Sequence, residues 1–204
     1  GMITLFLADI GSFRNHREEV LRQITPAYAE KFRRNKIEEN AMQELVCGYL
    51  LRRCLNVTDD DRLTWSAEGK PELADHSRYF NLAHSGRFVL LAVADVPVGV
   101  DIEDPRPYHP ATARKVFTDV QRQMLELEDD AGKDRLFTRY WTELEAVLKL
   151  YGTGFGHGWE EARCRSVSYR TYAVDEYRIC CATEQESNIT LETVEYEPLK
   201  EREQ

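Results

Sequence analysis

The hydrophobic period of this chain changes four times, and that order constrains its fold more than its composition does. Residues 3–10, "ITLFLADI", read as a strand. Residues 15–23 and 26–34 read as short helices. Residues 38–54 follow as a longer one, with Met42, Leu45, Val46, Tyr49, Leu50 and Leu51 at helical spacing. "DDDRLTWSAEGKP" is a loop around a short strand, punctuated by Gly69-Lys70-Pro71. "RYFNLAHS", "GRFVLLAVA" and "VGVDIE" are strands, the last two separated by the turn "DVP". Helices are expected over residues 111–116, 118–128 and 132–151. Three antiparallel strands follow in the tail, and "PLKEREQ" is a loose end.

Strands, helices, strands, helices and strands in that order make an α+β protein. Each half carries both kinds of element, which suggests a duplication, although no clear internal repeat is present. The division falls near residues 96–99 and gives an N-terminal half, 2–97, and a C-terminal half, 98–204. Gly1 stands before Met2 and is left out of the fold.

Several function classes fall away. A formal charge of −9 argues against nucleic acid as the main partner. Five cysteines, an odd number with no C-x-x-C, argue against a zinc site or a disulfide framework. No signal peptide or membrane-spanning run is seen, so a cytoplasmic protein with no membrane partner is expected. There is no G-x-S-x-G elbow, no P-loop and no dinucleotide fingerprint. "GTGFGHG" follows a helix instead of opening one, and reads as a C-cap and a mobile loop.

The sharpest chemistry lies in "VGVDIED". On a strand, Val98, Val100 and Ile102 face the core, while Gly99, Asp101 and Glu103 share the other face. Gly99 would leave open space there. Two adjacent carboxylates repel unless something positive compensates them, and a hard divalent cation such as Mg²⁺ fits. The same pattern also fits a polar strand face turned to water. On the helix of "WTELEAVLKLYGTG", Trp141, Glu145 and Lys149 stack at i, i+4 and i+8. They border a buried stripe of Phe137, Leu144, Leu148 and Tyr151, and Glu143 points elsewhere into solvent. Glu145 and Lys149 are either one wall of a cleft or a common surface pair. His84, before Ser85 and Gly86, is either a phosphate contact or a structural turn residue.

The ordered set is more specific than its parts. Gly69-Lys70-Pro71, Phe80-Asn81-Leu82-Ala83-His84-Ser85-Gly86, Gly99-Val100-Asp101-Ile102-Glu103 and Trp141-Thr142-x-x-Glu145-Ala146-x-x-Lys149 together resemble the 4'-phosphopantetheinyl transferases. The likeness is to the larger, monomeric type that activates peptide synthetases, and it runs from about Lys31 to Gly154. It implies two similar α/β halves about a pseudo-two-fold axis, with coenzyme A in the cleft between them. The phosphopantetheine arm of coenzyme A would pass to a serine of an apo acyl or peptidyl carrier protein, releasing adenosine 3',5'-bisphosphate. Asp101, Glu103 and Glu145 match the Mg²⁺ ligands. Glu145 also matches the base for the serine proton, and Lys149 and His84 match the groups on the pyrophosphate. Lys70 and Pro71 match the adenosine end and Lys31 the 3'-phosphate side. Asn81 and Ser85 belong to the same coenzyme-binding motif.

Two positions depart from the family pattern. Leu144 stands where a lysine usually precedes the glutamate. Gln43 stands where an arginine meets the 3'-phosphate, and a neutral amide makes a weaker bond to phosphate than a charged donor does. Both losses bear on coenzyme A affinity more than on chemistry, unless Leu144 is simply core. Lys31, Arg33, Arg34 and Lys36 offer compensating charge, or are a solvated helix face. The alternatives are a non-catalytic coenzyme A-binding protein and a metal-dependent nucleotide phosphohydrolase. Carrier docking is expected near Arg114, Lys115 and Phe117, where basic and apolar residues mix. An ordinary amphipathic helix pair fits that stretch as well.

Overall fold

A computed structural model describes residues 1–200. The strands are β1 (Met2–Asp9), β2 (Leu63–Trp65), β3 (Pro71–Leu73), β4 (Tyr79–Ser85), β5 (Phe88–Ala94), β6 (Gly99–Glu103), β7 (Ser168–Val174), β8 (Tyr177–Thr183) and β9 (Asn188–Val194). The helices are α1 (Arg17–Leu21), α2 (Pro26–Arg34), α3 (Glu38–Leu55), α4 (Pro110–Val116), α5 (Asp119–Glu126), α6 (Asp130–Tyr151) and α7 (Trp159–Arg163). The mixture of helices and strands agrees with the sequence reading.

Strand alternation sorts these elements into layers. One sheet has the order β4-β5-β1-β9 and a second has β6-β8-β7, with β2 and β3 as a separate hairpin. Val89, Leu91 and Val93 of β5 pack with Tyr28, Leu45 and Tyr49 of α2 and α3. Leu90 and Ala92 point the other way, with Leu5 of β1, and meet Val100, Ile102 and Ile179 of the second sheet. The far face of the second sheet is covered by α6, through Ala146, Val147 and Leu150 against Cys180 and Ala182. Helices, sheet, sheet and helix thus lie in four layers. β5 and β6 are apolar or buried along their whole length because both of their faces are covered.

The helix that carries the site is set at both ends. The Asp129 carboxylate accepts from the Gly132 N–H at 2.7 Å, and Gly152 closes the helix in the left-handed region at φ 68°.

Four expectations change. The last tail strand is not antiparallel: β9 runs parallel to β1, with Leu191 opposite Leu5, and so lies in the first sheet. The end of the chain is not loose as far as residue 200. Tyr49 Oη donates to Glu197 O at 2.9 Å, and Gln23 and Arg52 donate to the carbonyls of Leu199 and Lys200. The final residues, 201–204, lie outside the described part. The glycine-rich loop leads into a short helix, α7, that the sequence reading passed over. Gly99 leaves no open space: a Cβ there would sit 2.1 Å from Ala146 O and 2.4 Å from Leu150 N of α6. Glycine is required because a helix backbone crosses the strand at that point. Among the described residues, no helix is long and apolar enough to cross a membrane.

Candidate active site between β4, β6 and α6

The parity read on β6 holds, with Val100 and Ile102 in the sheet-sheet core. Asp101 and Glu103 turn toward α6 and are 7% and 8% exposed, so they are not a solvated edge. Burial pushes the Asp101 carboxyl well above the carboxylate range. Lys149 opposes that shift, and Glu103 and Glu145 add to it. Burial also raises Glu145, with Lys149 opposing and Glu103 adding. The three carboxyls therefore sense one another across the strand-helix junction. Arg106, which the sequence reading did not single out, donates from Nε to Glu103 Oε2 at 3.0 Å and lies 5.3 Å from the Trp141 ring centre. Its only signal was an opposite charge three residues after Glu103. Glu143 is not solvated as expected: its side chain is 17% exposed and pairs with Arg139.

Asp101 Oδ2 is buried with no hydrogen-bond partner. An orphaned carboxylate oxygen beside two further carboxyls is a donor set that suits a hard divalent cation. Among the described residues, no three such side chains already surround a common point as a metal site does. The charges of Lys149 and Arg106 are felt at these carboxyls instead.

Lys149 links this cluster to a cleft. Its Nζ donates to Leu82 O of β4 at 2.7 Å, and burial lowers its pKa while Asp101 and Glu145 resist that shift. The cleft holds about 220 Å³ and is lined by Gly69, Lys70, Pro71, Asn81, Lys149 and Gly152, among others. Lys70 Nζ donates to Lys149 O at 3.0 Å, so the β2–β3 turn is tied to the end of α6. Burial lowers the Lys70 pKa. Asn81 Oδ1 accepts from Val100 N at 2.8 Å, and Ser85 Oγ accepts from Asp104 N at 3.0 Å. Both residues were expected on the coenzyme; through these atoms Asn81 ties β4 to β6, and Ser85 ties it to the residue just after β6.

A third group lies where α2 and α3 meet β4. The His84 imidazole senses Glu44, Lys149 and Lys31, and burial lowers its pKa. Its Nε2 lies 3.9 Å from Glu44 Oε1. Lys31 Nζ sits 4.7 Å from the Trp65 ring centre and 5.0 Å from that of Tyr28. Gln43 is buried, and its Nε2 donates to Gly86 O at 2.8 Å. That donor holds the β4–β5 turn. Glu44, one residue on from Gln43, was not anticipated.

Comparison with known proteins agrees with this arrangement. Residues 97–197, which contain β6 and α6, match the model of the 4'-phosphopantetheinyl transferase superfamily. The chain is similar to that superfamily over this segment, and the relatives it resembles are Sfp-type transferases. It is 29% identical over 147 residues to 4'-phosphopantetheinyl transferase Sfp of Bacillus subtilis, a match covering 69% of this chain and 66% of that protein. It is 38% identical over 91 residues to 4'-phosphopantetheinyl transferase psf-1 of Bacillus pumilus, covering 44% of this chain and 39% of the relative. It is 31% identical over 134 residues to 4'-phosphopantetheinyl transferase HetI of a Nostoc species, covering 62% and 55%. The match thus spans less than two thirds of each relative's own length.

Against the superfamily pattern, Leu144 is a core residue. It is 8% exposed and packs with Val116, Phe117, Phe137 and Leu148. Leu144→Lys is therefore expected to destabilise the fold by about 1–3 kcal/mol. It should leave coenzyme A affinity within roughly twofold, a change of about 0.4 kcal/mol. Urea unfolding and titration calorimetry check both, and a tenfold gain in affinity would contradict the assignment. Phe117, expected at a docking surface, is also core: it is 2% exposed and packs on Phe137 and Tyr140. Arg114 and Lys115 are exposed, and the exposed apolar side chains nearby are Val120, Met124 and Leu127.

Proposed function

We propose that the chain transfers the 4'-phosphopantetheine arm of coenzyme A to a serine of an acyl or peptidyl carrier protein. Adenosine 3',5'-bisphosphate is the other product. The observation that carries this reading is Lys149. Its ammonium senses the carboxylate cluster of β6 and α6 and donates to Leu82 O of β4, and the same residue lines the cleft at Lys70 and Pro71. A pyrophosphate placed beside it has metal-binding oxygens on one side and a cleft for the adenosine on the other.

In this reading the halves 2–97 and 98–204 are related by a pseudo-two-fold axis, and the protein acts as a monomer. Asp101, Glu103 and Glu145 would hold Mg²⁺, and the orphaned Asp101 Oδ2 favours that choice. When bound, the ion neutralises charge on the pyrophosphate. Lys149 and His84 contact the phosphates, Lys70 and Pro71 line the adenosine end, and Lys31 stands at the 3'-phosphate. The serine oxygen bonds to the phosphorus that bears pantetheine. The phosphoanhydride bond breaks, and its electron pair leaves on the bisphosphate. The serine proton passes to the Glu145 carboxylate, directly or through water. The rest of the work is positioning and charge stabilisation.

Release of adenosine 3',5'-bisphosphate from coenzyme A and Mg²⁺, followed by chromatography, tests the reading. Release that requires an apo carrier protein is the expected result. Release without a carrier would mark a phosphohydrolase, and coenzyme A binding with no release would mark a binding protein.

A further inference from the structure

We infer that Glu44 makes this chain indifferent to the 3'-phosphate of its donor, so that 3'-dephospho-coenzyme A serves as well as coenzyme A. The inference deepens the transferase reading and rests on it. Three observations meet at one place.

The first is Glu44 itself. Its side chain is 20% exposed, and its carboxylate lies 3.9 Å from His84 Nε2. Its charge is also felt at Tyr28 and Cys47. Its charge is felt at the His84 imidazole together with those of Lys149 and Lys31. An anion approaching Lys31 meets like charge from Glu44, since Cys47 feels both groups and Tyr28 lies under Lys31 and within reach of Glu44, and partial burial weakens solvent screening of the repulsion.

The second observation is Gln43. It is 4% exposed, and its amide donates to Gly86 O, so it cannot turn out to a phosphate without leaving that carbonyl unpaired. The third is Lys31, whose ammonium lies over the Tyr28 and Trp65 rings. Its attraction for a phosphate is opposed by Glu44 on the same side. With Lys31 set against Glu44, the net attraction at that point for a doubly charged group is reduced. The pyrophosphate end keeps Lys149 and the metal-binding carboxyls, so the chemistry is untouched. With the dephospho donor the same bond forms and the same bond breaks, and the leaving group is adenosine 5'-monophosphate.

The test is titration calorimetry of the wild type and Glu44→Gln with coenzyme A and with 3'-dephospho-coenzyme A, both with Mg²⁺. The wild type is expected to bind the two ligands within about threefold, a difference under 1 kcal/mol. In Glu44→Gln, coenzyme A should bind roughly tenfold tighter, about 1.4 kcal/mol, while the dephospho ligand moves less than about twofold. The wild-type comparison needs no variant, so a folding defect in Glu44→Gln cannot hide the answer. A wild type that prefers coenzyme A by about thirtyfold or more, near 2 kcal/mol, would overturn this inference and leave the transferase reading standing. Equal gains for both ligands in the variant would do the same. A wild type that binds neither ligand overturns the transferase reading, and this inference with it.

Discussion

Glu145→Gln is expected to lower the rate of phosphopantetheine transfer by about 10²- to 10⁴-fold, the range that a positioned general base contributes. The loss should appear in kcat more than in the Kd for coenzyme A, because Lys149 and the cleft at Lys70 remain. Glu145 lies among like charges: Glu103 raises its pKa, and Glu145 in turn raises that of Asp101. Replacing it with a neutral amide of the same shape removes that repulsion, so the unfolding midpoint should hold or rise. Steady-state kinetics with a carrier protein, beside thermal unfolding, separates the two effects. A variant within tenfold of the wild-type rate would show that another group takes the serine proton.

Gly99→Ala carries the largest expected structural effect. The new methyl would land on Ala146 O and the backbone of Leu150, and neither is a side chain that can rotate away. Overpacking of this kind costs about 1–3 kcal/mol, and a clash with backbone puts this site at the upper end. Separating α6 from β6 would also part Glu145 and Lys149 from Asp101 and Glu103. Transfer should therefore fall together with stability. Urea unfolding measures the first effect, and an unchanged midpoint would mean that the helix does not press on the strand as described.

The sequence was most legible where a local period sufficed. The parity of β6, the end of α6 at Gly152 and the face shared by Glu145 and Lys149 all follow from side-chain spacing. Period states which way a residue faces and not what covers that face. Gly99 was for that reason read as open space, when a helix backbone fills it. Parallel pairing of β9 with β1 joins residues about as far apart as the chain allows, and alternation within β9 carries no sign of it. Gln43 and Asn81 show a different limit. Each has the chemistry to meet a phosphate, and each offers an atom to a backbone group instead, Gln43 to the β4–β5 turn and Asn81 to β6. Tertiary position chose between those uses. Leu144 needed both kinds of information: its stripe marked it as apolar, and only the packing with Phe117 and Phe137 settled that it is core.

Intact-mass measurement of an apo carrier protein, after incubation with this chain, coenzyme A and Mg²⁺, tests the central claim most directly. A gain of one phosphopantetheine group on the carrier serine, absent when Mg²⁺ is chelated and absent with Glu145→Gln, is the predicted result. A panel of acyl and peptidyl carriers whose masses stay unchanged, while the chain binds coenzyme A, would contradict it.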